Sequence, residues 1–381
     1  MKIAVLTSRY PTEKEPYNHM FVHTRNREYV EKGVYVSVFV PSKNKYFYTF
    51  EGINVYRLPT FEIIKKLESF DITFIHLLHT YPIKEIDGSI IYNHIIKFEI
   101  PVLFFIHGIE VQKISKSYKD EVEITNPKSI LRALYHDFYQ IPKIKKIIKS
   151  LLNYSKCRFI SVSKWMLKEV YDNLKINLSS KAVVIPNGID TNLFVYDNHW
   201  NYRYKVLTLR PLILKGKYAL DLAVLTMKHI KQDKVNLTIY GKGKDESKIK
   251  DFINKQELSR RVKIINKFLQ HKEIPIIHKN FGLYYAVTRM DAQGVSMCEA
   301  MASGLPVISF NVCGIPEFVK HNKTGILIEP FNIQEAANWI ENLTYDKNLY
   351  IRISENARKF IETIDIKNTT QKELDIAKSL M

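Results

Sequence analysis

The strongest constraint in this chain is a series of short, nearly continuous apolar runs separated by stretches of helical length. Ile3-Ala4-Val5-Leu6 comes first. Tyr35 to Val40, Ile72 to Leu78, Val102 to Ile106, Phe159 to Val162 and Val183-Val184-Ile185 follow. A strand with one wet face alternates apolar and polar residues. A strand covered on both faces reads as an unbroken apolar run, and such burial belongs to parallel sheets. The gaps leave room for crossover helices, so the first half is predicted to be a doubly wound α/β domain. The pattern restarts after Phe194, with Val206 to Leu209, Val235 to Tyr240, Val262 to Ile265, Gly282 to Val287 and Pro306 to Phe310. The polar, aperiodic stretch Tyr196 to Asn201 reads as a linker. At ~100–200 residues per domain, 381 residues fit two domains. The expected architecture is two Rossmann-like parallel-sheet domains facing a cleft, with boundaries at 1–194 and 195–364.

Composition excludes several classes. With 46% apolar and 25% charged residues, the chain is neither disordered nor collagen-like. Its three cysteines, Cys157, Cys298 and Cys313, form no zinc pattern, and an odd, sparse count fits a reducing compartment. The N-terminal apolar run, Ile3 to Leu6, is followed closely by Arg9 and does not make a signal peptide. The charge-free stretch Ala300 to Pro316 is broken by Gly304, Pro306, Asn311, Gly314 and Pro316 and falls short of a ~20-residue membrane span. A cytoplasmic protein is expected.

The net charge of +18, from 57 Lys and Arg against 39 Asp and Glu, suits anionic partners: nucleic acid, lipid or phosphorylated substrates. Heavy use of Lys, Ile, Asn and Tyr explains it equally well as composition. No nucleic-acid recognition motif accompanies it, so no nucleic-acid partner is expected. One segment concentrates the charge. Ile144, Ile147, Ile148, Leu151 and Leu152 make a helix-period stripe, with Lys143, Lys145, Lys146 and Lys149 on the other positions. The plain reading is a surface helix packed on the sheet. The sharper one is a basic helix on anionic lipid, a peripheral contact at the inner membrane face.

The segment richest in chemistry runs from Thr288 to Pro316. Its pattern is strand, loop, helix, turn, strand. Gly294 opens the helix, and Gly304 with Pro306 ends it. A glycine-led helix start offers bare backbone N–H groups and the positive end of the helix dipole, a seat for phosphate. Asp291 lies just before that start and Glu299 about one turn inside, eight residues on. Two carboxylates flanking a phosphate seat can grip hydroxyls on either side of it. Arg210 and Lys215 flank a turn after the first strand of the second half, where α/β proteins bind ligands. Arg supplies a fork and Lys a point charge, a pair suited to a pyrophosphate.

This segment resembles the signature of the retaining GT-B glycosyltransferases of family four, in which two carboxylates eight positions apart precede a glycine-proline stop. The resemblance covers about residues 1–360 and implies roles for individual residues. Asp291, which stands where the family has Glu, would contact the donor sugar with a reach about 1.5 Å shorter. Glu299 would hold the ribose. The amides of Gly294, Val295 and Ser296 would meet sugar and phosphate, and Arg210 and Lys215 the diphosphate. Gly241, in Tyr240-Gly241-Lys242-Gly243, matches the family's glycine turn, and Ile185-Pro186-Asn187-Gly188-Ile189-Asp190 with Phe194 its hinge entry. His107, in Phe104-Phe105-Ile106-His107-Gly108, would face the acceptor and the donor sugar. The last stretch, 365–381, would return to the first domain. The loop Pro11 to Met20, including Tyr17-Asn18-His19, lacks the family's glycines, which should reshape the acceptor side. His76 and His79 are not expected to chelate a metal, because three positions apart on a strand they point to opposite faces.

The implied activity is metal-independent transfer of a sugar, with retention, from a nucleoside-diphosphate sugar to a glycan or lipid-linked acceptor in surface polysaccharide or glycoconjugate assembly. No separate cofactor is implied; the donor is a substrate. His107, Asp291, Lys215 and Arg210 are the expected catalytic residues. Three other functions compete: an epimerase on the same fold, a basic nucleic-acid-binding protein and a non-catalytic nucleotide-sugar binder.

Overall fold

The structure, a computed structural model, describes every residue except Tyr17, 119–121 and 123–125. Tyr17 of the glycine-free first loop therefore lies outside the described residues. The chain forms two compact units, one comprising 1–188 and 366–381, the other 189–365.

The first unit is built on eight strands: β1 (Lys2–Thr7), β2 (Tyr35–Pro41), β3 (Tyr46–Phe50), β4 (Ile53–Leu58), β5 (Ile72–His76), β6 (Val102–Ile106), β7 (Cys157–Ser161) and β8 (Ala182–Val184). Their order is β3-β4-β2-β1-β5-β6-β7-β8. All neighbours run parallel except β3 and β4. The continuous runs are the central strands, and β5 and β6 are buried at every residue. The antiparallel hairpin β3–β4 carries no such run. Tyr46 and Phe47, on opposite faces of β3, are both exposed, so this edge is wet on both faces at its start. Ile72 to Leu78 is shorter as a strand than its apolar run suggests. Leu77 takes φ 49 and ends β5 at His76. His79 thus lies beyond the strand, so the opposite-face reason for rejecting a His76–His79 pair does not apply.

The second unit holds β9 (Lys205–Leu209), β10 (Asn236–Tyr240), β11 (Val262–Ile265), β12 (Leu283–Ala286), β13 (Val307–Phe310) and β14 (Ile326–Ile328). Their order is β11-β10-β9-β12-β13-β14, parallel throughout. The order reverses between β9 and β12, so the carboxyl ends of these two strands border the crevice where such folds take ligands.

The chain leaves the first unit at Gly188, earlier than the expected boundary at 194. Tyr196 to Asn201 is not a linker but part of the second unit. The Asp197 amide donates to the Ser303 carbonyl at 3.1 Å, and His199 Nε2 meets the same oxygen at 2.9 Å. Aperiodic polar sequence there reflects hydrogen bonding to a helix end, not freedom. The final helix, Ile366–Lys378, belongs to the first unit and packs on the helix Met20–Glu31. No helix among the described residues is long and apolar enough to cross a membrane.

Candidate functional site

The helix Val295–Ser303 is set by its two glycines. Gly294 precedes it at φ 75 and Gly304 follows at φ 94, conformations that cost other L-residues strain. The helix is buried from Met297 to Ser303, which forces its first turn toward the carboxyl ends of β9 and β12. The Val295 and Ser296 amides open the helix and have no acceptor within it.

Arg210 enters from the end of β9 and is buried there. Its Nε donates to the Val287 carbonyl at 3.3 Å and its Nη1 to Ser296 Oγ at 2.9 Å. Tyr284 donates to the same Ser296 oxygen at 3.0 Å. Arg210 Nη2 lies 4.0 Å from Asp291 Oδ2 and, among the described residues, has no hydrogen-bond partner. Arg210, Asp291 and Ser296 therefore form one network with a spare guanidinium donor. The short Asp291 side chain folds back on the helix start. Its Oδ1 accepts from the Gly294 amide at 2.9 Å and the Gln293 amide at 3.3 Å. Of the three amides expected at sugar and phosphate, that of Gly294 is thus engaged by Asp291. A Glu would carry its carboxylate one bond further out.

Gly241 explains how the turn after β9 is held. A Cβ there would sit 1.9 Å from the Arg210 carbonyl oxygen, so only glycine lets the two backbones meet. Lys215 lies in the same turn but is exposed, with no hydrogen bond or ion pair among the described residues. The turn itself is pinned by a residue the sequence does not single out. Arg289 pairs with Asp221 at 2.7 Å and donates to the Gly216 carbonyl at 3.0 Å, and its amide reaches the Lys217 carbonyl at 2.6 Å.

Glu299 does not join the Arg210 network. It is buried, and its Oε1 meets His271 Nε2 at 3.0 Å. The His271 ring stands edge-on to Phe194 at 5.3 Å. His271 is legible in the sequence only as one histidine among 12, 28 positions from its partner. Among the described residues no group of three or more His, Cys, Asp or Glu could hold a metal ion.

In the first unit, His107 stands at the end of β6 beside a partner that sequence spacing hides. His76 Nδ1 and His107 Nε2 lie 3.0 Å apart across adjacent strands. Burial, reinforced by the Arg25 charge, holds His107 well below the usual imidazole range, so the ring stays neutral. Glu110, also buried, accepts from the backbone amides of His107 and of Gly108, the latter at 3.0 Å. Desolvation pushes its carboxyl up to about 7.

Glu110 gives a pH signature. Its proton is bound more tightly in the folded chain than in the unfolded one. Its contribution to stability is therefore full below the ordinary value of 4.5 and is lost as pH rises toward 7. The loss is about 3 kcal/mol. Urea unfolding from pH 4.5 to 8 should show the wild type losing that much relative to Glu110→Gln. A constant difference between the two proteins would remove the effect.

Residues 213–360 match the family Glycosyl transferases group 1. A glycosyltransferase of Methanocaldococcus jannaschii is 25% identical over 82% of this chain and 76% of its own length. Poly(ribitol-phosphate) alpha-N-acetylglucosaminyltransferase of Staphylococcus aureus is 30% identical over 42% of this chain and 32% of its own. The solved structure of Anabaena HepE with UDP and glucose superposes with a TM-score of 0.74 over 100% of both chains, at 16% identity. On the sequence match over 213–360 and the shared two-sheet architecture together, the chain carries a group 1 glycosyl transferase segment and is a glycosyltransferase of the GT-B fold.

Proposed function

We propose that the enzyme moves a sugar from a nucleoside-diphosphate sugar to a hydroxyl of a glycan or lipid-linked acceptor, with retention and without a metal. The observation that carries this reading is the buried Arg210 guanidinium, whose Nη2 has no hydrogen-bond partner among the described residues and lies beside the Ser296 end of a helix N-terminus. A spare cationic donor and two bare amides suit a departing diphosphate. Arg210, Lys215 and the helix start together supply the positive charge that a divalent cation would otherwise bring. The bond from the anomeric carbon to the diphosphate oxygen breaks. The acceptor oxygen bonds to the same carbon on the same face, and its proton passes to the departing phosphate oxygen. Glu299, buried and hydrogen-bonded to His271, would accept from two ribose hydroxyls. The HepE structure contains UDP and glucose, and the Staphylococcus aureus relative is named for an alpha-linked product. The UDP and glucose of the HepE structure support a nucleotide-sugar donor.

Calorimetric titration with nucleoside diphosphates tests the site. Charge-assisted hydrogen bonds contribute about 1.5–3 kcal/mol each. Glu299→Ala should weaken binding by roughly ten-fold or more. His271→Ala should weaken it by a smaller factor, since the carboxylate remains but loses its anchor. Unchanged affinity in Glu299→Ala removes the ribose role.

A further inference from the structure

The segment 127–153 is helical from end to end: Pro127–Tyr135, a π-turn at His136–Gln140, then Ile141–Asn153. The apolar stripe Ile144, Ile147, Ile148 and Leu151 is buried, so these residues pack on the first unit and are not available to lipid. The π-turn is fixed from beneath. Asp137 accepts from the Ile114 amide at 2.7 Å and the Ser115 amide at 3.0 Å, and His136 Nε2 meets the Ile109 carbonyl at 2.9 Å.

The outward stripe is unusual. Leu131, Leu134 and Phe138, at i, i+3 and i+7, are 64%, 47% and 77% exposed. Beyond the π-turn, which shifts the helical phase, the exposed lysines are Lys146 and Lys149, with the half-buried Lys145 beside them. Lys128 and Arg132 flank the apolar end. Asp137 is the sole acid between 127 and 153, and it is buried. Lys143 pairs with Asp87 at 3.1 Å, whereas among the described residues Arg132, Lys145, Lys146 and Lys149 make no ion pair. The face is thus an apolar ridge continued by unneutralised cations.

We propose that this face docks on an anionic lipid bilayer, with Leu131, Leu134 and Phe138 entering the acyl boundary and the lysines resting on headgroup phosphates. Each half of the stripe excludes a rival. Two copies of the chain meeting through 127–153 would set cations against cations, since the sole acid of that segment, Asp137, is buried. A nucleic-acid backbone would satisfy the lysines but leave the phenylalanine and leucines without an apolar partner. A bilayer of anionic lipid satisfies both at once. The proposal goes beyond the transferase reading and does not depend on it.

Co-sedimentation with vesicles tests it, using phosphatidylcholine alone and phosphatidylcholine with 30% phosphatidylglycerol. The protein should bind the anionic vesicles and not the neutral ones. Lys145→Gln/Lys146→Gln/Lys149→Gln should lower binding at least ten-fold and flatten its salt dependence. Leu131→Gln/Leu134→Gln/Phe138→Gln should lower it at least ten-fold even at low salt, while turnover of a soluble acceptor stays at wild-type level. Phe138→Trp provides a readout that requires no loss of binding. Its emission should shift to the blue on anionic vesicles and be quenched by brominated acyl chains. Absence of vesicle binding, equal binding by the apolar variant, or an unshifted Trp overturns the proposal. So does a lipid-free dimer in light scattering that the apolar variant dissolves, which would make the face a contact between copies.

Discussion

Replacing Arg210 with alanine should lower kcat/KM by two to three orders of magnitude while leaving the fold in place. One guanidinium donates to two groups, the Val287 carbonyl and the Ser296 hydroxyl, and its Nη2 stands 4.0 Å from the Asp291 carboxylate. Its Nη2 is the donor left over. Negative charge grows on the leaving diphosphate as the glycosidic bond breaks, so a donor aimed at that oxygen acts more strongly in the transition state than in the bound substrate. Losing one such preorganised donor costs roughly 10²–10³ in rate. Arg210→Lys separates charge from geometry. Lysine keeps the cation but cannot reach Ser296 and the diphosphate as a fork. It should recover only part of the loss, with most of the deficit in kcat and little in KM. Steady-state transfer, measured with donor varied at saturating acceptor, reads both. A loss under three-fold in Arg210→Ala would take Arg210 out of the leaving-group site.

How much of this is legible in the sequence follows from how far apart the interacting residues lie. Strands covered on both faces show themselves as unbroken runs, so β1, β2, β6 and β9 stand where Ile3, Tyr35, Val102 and Val206 open their stretches. The hairpin β3–β4 lies at the sheet edge with Tyr46 and Phe47 exposed on opposite faces, so its aromatic stretch does not mark a strand covered on both faces. Local backbone requirements are also legible. Gly294 and Gly304 frame their helix because each takes a positive φ, and Gly241 is glycine because Arg210 leaves no room for a Cβ. Side-chain pairings across long separations are not. His271 meets Glu299, His76 meets His107 and Arg289 meets Asp221 only after the parallel sheets set the carboxyl ends of their strands side by side. Asp291 is the intermediate case. Its position follows from the eight-residue spacing, but its turn back onto the Gly294 amide follows from one missing methylene and the local loop.

The most distant of these pairings carries the largest expected effect on stability. Arg25, in the helix Met20–Glu31, is 2% exposed, and its Nε meets Glu373 Oε1 at 3.1 Å in the final helix. Arg25 Nη1 donates to Asn187 at 2.7 Å, Tyr29 donates to the other Glu373 oxygen, and the guanidinium lies 5.6 Å from the centre of the Phe105 ring. Neither ion can reach water, so removing one strands the other. Breaking a buried pair in this way costs about 3–5 kcal/mol. Glu373→Ala should therefore lower the melting temperature of the first unit on the order of 10 °C. The exposed control Glu31→Ala should leave it within a degree or two. The double variant Arg25→Met/Glu373→Leu removes both charges and fills their space with apolar groups, so it should recover most of the loss. That recovery distinguishes a stranded charge from simple loosening of the C-terminal helix, which Leu374 and Ala377 also anchor in the core. If Glu373→Ala melts with the control, the pair contributes nothing and the apolar face of the last helix alone holds it in the first unit.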